Sequence, residues 1–93
     1  MPSVIATIRV KEDKIEEAKA LFADLAKGVQ ADEPGTLSYV AHQRKDDPAT
    51  FVFYEKYESD DAFKTHGANL AKHGAKFGAV LAGAPDIIFL EEV

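Results

Sequence analysis

Few side chains in this 93-residue sequence are of a type that moves protons or electrons at neutral pH. The three histidines are His42, His66 and His73. Imidazole has the ordinary pKa nearest neutrality, which suits it to general acid–base work. His66 and His73 stand seven residues apart. On one continuous helix they would share a face about 10 Å apart along the axis, too far to chelate one metal ion. Chelation by a helix calls for an i, i+4 pair, and no Asp or Glu lies between the two. No metal site is therefore expected. His42, on a strand after Ala41, reads as a surface or interface residue.

Glu55 is the odd residue of the run Phe51-Val52-Phe53-Tyr54-Glu55-Lys56-Tyr57. Strand alternation places it on one face with Phe51, Phe53 and Tyr57. A carboxylate among aromatic rings must be raised in pKa or paired. His66, on a covering helix, would be a suitable partner; the alternative is a place at the sheet edge or in a subunit contact, solvated or salt-bridged. Asn69 is locally unfavourable within a helix. It reads as the cap of a helix restarting after Gly67, or as an amide directed into a pocket. The tyrosines and phenylalanines read as core or interface, with one or two lining a pocket. There is no cysteine, so disulfides, thiolate nucleophiles and cysteine-ligated metals are excluded. No phosphate-binding glycine loop, dinucleotide fingerprint or serine-histidine-acid spacing is present.

The elements that must position these residues follow from periodicity. Ser3 to Val10 reads as a strand, with Val4, Ala6, Ile8 and Val10 on one face. Asp13 followed by Glu16 resembles a capping box. Ile15, Ala18, Leu21, Phe22, Leu25, Ala26 and Val29 then recur at helical spacing, and Glu33-Pro34-Gly35 ends that helix. Thr36–Arg44 and Thr50–Tyr57 read as an antiparallel hairpin about the turn Lys45-Asp46-Asp47-Pro48. Ser59-Asp60-Asp61 caps a second helical region reaching Leu81, with a break expected near Gly67 to Asn69. Asp86–Glu91 is a fourth strand. The order β-α-β-β-α-β is the ferredoxin-like α+β pattern with a four-stranded antiparallel sheet. The near-repeat His66-Gly67-Ala68-Asn69 and His73-Gly74-Ala75-Lys76 reads as chance in an Ala/Gly-rich helix.

A chain of 10.1 kDa is expected to form a single domain over residues 1–93. The balance of 11 basic and 16 acidic residues lacks the basic footprint of a nucleic-acid binder. No apolar run approaches the roughly 18 residues of a membrane span. The first residues lack a signal peptide's basic start, and the absence of cysteine favours a cytoplasmic location. Phe51-Val52-Phe53-Tyr54 and Ile87-Ile88-Phe89-Leu90 are apolar on both faces, although helices in this pattern cover one. A homodimer stacked through the open sheet faces is therefore expected.

Three segments resemble antibiotic biosynthesis monooxygenase (ABM) domains. Glu33-Pro34-Gly35-Thr36-Leu37-Ser38-Tyr39 is similar to their segment before the second strand. Phe51–Tyr57 resembles their third strand, and Ser59-Asp60-Asp61-Ala62-Phe63-Lys64-Thr65-His66 their following helix. The likeness runs over essentially the whole chain, in order. It implies a dimeric α+β barrel with a small pocket between sheet and helices. Some relatives oxidise hydroquinones or polyketide phenols with O2 and without flavin, haem or metal. By position Glu55 and His66 match the family's recurrent acid and histidine, and Asn69 a pocket amide. Two departures stand out: many relatives place a second histidine closer to the first than His73 stands here, and there is no tryptophan. The polyketide oxygenases and haem-degrading cousins commonly use one.

The function expected is that of a cofactor-independent monooxygenase acting on a small hydroquinone or phenol, with no cofactor. An electron-rich phenol passes an electron to O2 far more readily as its phenolate, so a base in a dry pocket is the central requirement. His66 would take the proton, and Glu55 would orient His66 and stabilise the imidazolium. Asn69 would hold the substrate oxygen, and His73, Tyr39, Phe53 and Phe77 would bind or wall the substrate. Two alternatives are a non-oxidative isomerase of a small hydroxy-ketone, using the same His66 and Glu55, and a small-molecule-binding module without catalysis.

Overall fold

The computed structural model describes residues 1–93. Strand β1 (Pro2–Arg9) buries Val4, Ala6 and Ile8 and turns Ile5, Thr7 and Arg9 to the other side. Helix α1 (Ile15–Asp32) buries Ala18, Phe22 and Val29. The expected capping box does not form. Glu12–Lys14 wind into a 3-10 turn instead, and no side chain caps α1. Acids still fill the first turn of α1, at Glu16 and Glu17, where they complement the helix dipole.

Strands β2 (Thr36–Gln43) and β3 (Thr50–Tyr57) form the hairpin, with a register irregularity between Thr36 and Ser38. Helix α2 (Asp60–Ala71) starts at Ser59, whose Oγ accepts the Ala62 N–H at 3.1 Å. The break in the second helical region lies later than expected. Gly67 and Asn69 stay helical, and the interruption falls at Lys72 and His73, before α3 (Gly74–Val80). Strand β4 (Asp86–Glu91) closes the chain.

The four strands are antiparallel in the order β2-β3-β1-β4, with the helices on one face. Phe22 of α1 meets Phe51 and Phe53 edge-on, at ring separations of 5.1 and 5.2 Å. This places the core between α1 and the sheet. The ferredoxin-like α+β architecture is thus as expected. No helix is long and apolar enough to cross a membrane.

The opposite sheet face is uncovered. Residue pairing aligns Val40, Tyr54, Ile5 and Ile88 in one row across all four strands. Val40, Tyr54 and Ile88 are exposed, as is Leu90 beside them.

Candidate active site

The site begins at the turn that ends α1. The Glu33 N–H donates to the Val29 carbonyl at 3.0 Å, and the Glu33 carbonyl accepts from the Thr36 N–H at 3.0 Å. Pro34 and Gly35 occupy the two central positions of that turn, residues suited to a tight reversal. Gly35 then ties the turn to the end of β3, its carbonyl accepting the Glu58 N–H at 2.9 Å. Helix α2 presses directly on this turn. A Cβ added at Gly35 would stand 2.7 Å from the Ala62 Cβ, closer than any two such atoms pack. His66 follows Ala62 by one helical turn and so shares its face.

That arrangement brings His66 onto Glu33. The Nδ1 of His66 lies 2.9 Å from Glu33 Oε1. Thr36 Oγ1 donates to the same oxygen at 3.0 Å, and Asn69 Nδ2 donates to Oε2 at 3.3 Å. Glu33 is 7% exposed and His66 3%. A buried carboxylate needs such donors to offset its lost hydration. With Glu33 the acceptor, the network assigns the His66 proton to Nδ1 and the lone pair to Nε2. The imidazole packs between the rings of Tyr39 and Tyr57, at 4.8 and 5.5 Å.

Glu55 stands on the other side of the ring. It is 6% exposed on the inner face of β3, and its Oε1 lies 4.0 Å from His66 Nε2. The Tyr57 hydroxyl donates to that same oxygen at 2.5 Å. Burial pushes the Glu55 carboxyl above its ordinary value; the Tyr57 hydrogen bond and the nearby His66 pull the other way, and Glu33 adds to the rise. Burial also pushes both Tyr39 and Tyr57 far up, reinforced by the neighbouring carboxylates. Their hydroxyls therefore remain protonated at neutral pH.

Two cavities meet at His66. One, of about 460 Å³, lies between the sheet and helices α2 and α3. Tyr39, Phe53, Glu55, Phe63, Gly67 and Phe77 are among its lining residues, and Ile87 and Phe89 of β4 form one side. The other, of about 440 Å³, is a polar groove beside α1 and α2, lined by Asp24, Asp32, Glu33, Asn69, Lys72 and His73 among others. His66 lines both.

The structure thus brings His66, Glu55, Tyr39, Phe53 and Phe77 to one apolar cavity. Asn69 and His73 lie elsewhere, along the polar groove. Since α2 continues unbroken past Gly67, Asn69 caps nothing, and its amide is committed to Glu33. His73 sits beyond the end of α2, at the start of α3. The sequence reading pairs His66 with Glu55, whereas its hydrogen bond goes to Glu33. Glu33 was legible only as part of a helix stop. The signal for more was a glutamate held just before a Pro-Gly turn, where the chain reverses and brings the side chain back under the next helix.

The sequence profile of the antibiotic biosynthesis monooxygenase family matches residues 1–75. A crystal structure of a candidate antibiotic biosynthesis monooxygenase from Caulobacter crescentus is 38% identical, with a TM-score of 0.91 over 99% of this chain and 89% of that one. A candidate of the same description from Nitrosomonas europaea is 24% identical, with a TM-score of 0.87 over 100% of this chain and 99% of its own. A Pseudomonas aeruginosa protein at 23% identity aligns with a TM-score of 0.88, over 99% of this chain and 93% of that chain. These last two bear on the fold alone. No curated protein matches significantly.

Proposed function

The chain belongs to the antibiotic biosynthesis monooxygenase family, and on that premise we propose that it oxidises a small hydroquinone or phenol with O2, without a cofactor. One observation carries the reading. A buried histidine turns a lone pair on Nε2 toward an apolar cavity while a buried carboxylate, Glu33, holds its Nδ1–H. This is how a carboxylate fixes a histidine's tautomer and prepares it as a base.

In this mechanism the substrate hydroxyl gives its proton to His66 Nε2. The imidazolium then stands between Glu33 and Glu55, which both favour its charge. The phenolate formed beside it passes electrons to O2. For a hydroquinone the balance is substrate plus O2 giving a hydroxyquinone plus water, so the substrate supplies every electron. Phe53, Tyr39 and Phe77 are walls for the flat ring. Asn69 acts through Glu33 rather than on the substrate, because its amide already donates there.

The uncovered sheet face supports a homodimer as part of the same reading. The apolar row Val40, Tyr54, Ile5 and Ile88 would be buried against its copy.

The test is oxygen uptake by the metal-stripped protein with a panel of hydroquinones, beside a His66→Gln control. That control keeps an amide donor for Glu33 but cannot carry the proton. Uptake above the spontaneous rate that falls by about a hundredfold or more in the control is the expected result. Equal uptake in both proteins removes His66 from the mechanism. Silence across the panel, with turnover of a hydroxy-ketone in the absence of O2, replaces the oxygenase by an isomerase using the same base.

A further inference from the structure

We propose that Gly67 sets how large an aromatic substrate the cavity admits, and that the fitting class is a fused two-ring phenol or hydroquinone. The inference deepens the function proposed above and rests on it.

A glycine inside a helix destabilises it relative to alanine, so its presence calls for a reason. Two reasons are ordinary: a backbone angle that side chains avoid, or a neighbour too close for a Cβ. Gly67 has neither. No glycine in the chain has positive φ, and a Cβ added at Gly67 would meet nothing within 4 Å. Gly35 illustrates the contrast, since there the Ala62 Cβ leaves no room.

What distinguishes Gly67 is its place. It follows His66 directly in α2 and lines the apolar cavity. The open space beside it is therefore cavity space, next to the proposed base. Gly78 of α3 has equally open space around it yet lines none of the cavities. A cavity of about 460 Å³ leaves unfilled space around a single ring held at His66. A second fused ring would extend along the apolar wall and need the room that a Cβ at position 67 would take.

The experiment measures melting temperature and calorimetric binding of 1-naphthol and of phenol, for the native protein, Gly67→Ala and Gly78→Ala. Both substitutions are expected to raise Tm by about 4 °C, because each replaces a helix-interior glycine where a methyl group is free to stand. Gly67→Ala is expected to weaken 1-naphthol about tenfold, as small steric intrusions into apolar pockets do. Phenol binding to it, and binding of both ligands to Gly78→Ala, should stay within about twofold. If Gly67→Ala melts lower, the free space is wrong and the inference falls. If it melts higher and binds 1-naphthol as the native protein does, Gly67 sets no size limit, while the proposed function stands. If the native protein binds neither ligand, the phenol reading fails and this inference fails with it.

Discussion

Glu33 and Glu55 flank one imidazole from opposite sides, but they are held differently. Glu33 accepts from Thr36 and Asn69 as well as from His66. Glu55 accepts from the Tyr57 hydroxyl and lies at 4.0 Å from the ring. The two carboxylates should therefore separate by substitution. Glu33→Gln, which loses the anion that fixes the tautomer, is expected to lower oxygen uptake about a hundredfold. Glu55→Gln should lower it less; the reverse order would return the orienting role to Glu55. Glu55 also predicts a pH dependence of stability. Burial holds its native pKa above the ordinary 4.5, so the folded state binds this proton more tightly than the unfolded chain. The stability it contributes is full below the unfolded value and is lost as pH rises through the native one. Glu55→Gln suffers no such loss. Its Tm relative to the native protein should rise from about pH 4 until the native pKa is passed, then level off. A difference that shrinks as pH rises would contradict the burial argument.

At the scale of elements, the site depends on how α2 rests on the Glu33–Thr36 turn. Gly35→Ala would place a Cβ 2.7 Å from the Ala62 Cβ and push α2 outward, carrying His66 with it. The expected cost is about 1–3 kcal/mol, as for overpacking elsewhere. Adding Ala62→Gly should restore part of that loss, although Ala62→Gly alone costs about 1 kcal/mol of helix stability. Urea denaturation of the four proteins of the cycle measures the coupling. Strict additivity would show that the two residues do not press on one another. This contact also explains what could and could not be read from the sequence. Element order and strand faces were legible, because Val4, Ala6 and Ile8 or Ile15 to Val29 carry their period locally. The helix break was displaced because glycine's cost at position 67 is outweighed by continuity on either side. The Glu33–His66 contact joins residues separated by 33 positions, and no local spacing encodes it. Glu55 was visible because its oddness, a carboxylate among aromatic rings, lies within one strand.

For the whole molecule, the helices cover one sheet face and leave the other with an apolar row. Tyr54 lies in the middle of that row, opposite Ile5 and Val40. The account predicts a dimer by light scattering at micromolar concentration, and a folded monomer for Tyr54→Lys, since the row cannot bury an ammonium group against its copy. A native protein that scatters as a monomer would remove the proposed dimer. The cavity opens on the helix side, where the exposed Phe89 of β4 meets Phe63 of α2 edge-on at 5.7 Å. Substrate entry and subunit association therefore use opposite faces of the same sheet, and Tyr54→Lys should leave phenol binding unchanged.

The central claim is that His66 takes a proton from a phenol held in the apolar cavity. The most direct measurement is the absorption spectrum of 4-nitrophenol bound to the protein, at a pH low enough that the free ligand is neutral. The account predicts a phenolate band in the native protein and its loss in His66→Gln. A bound ligand that stays neutral in the native protein, or remains ionised without His66, would contradict it.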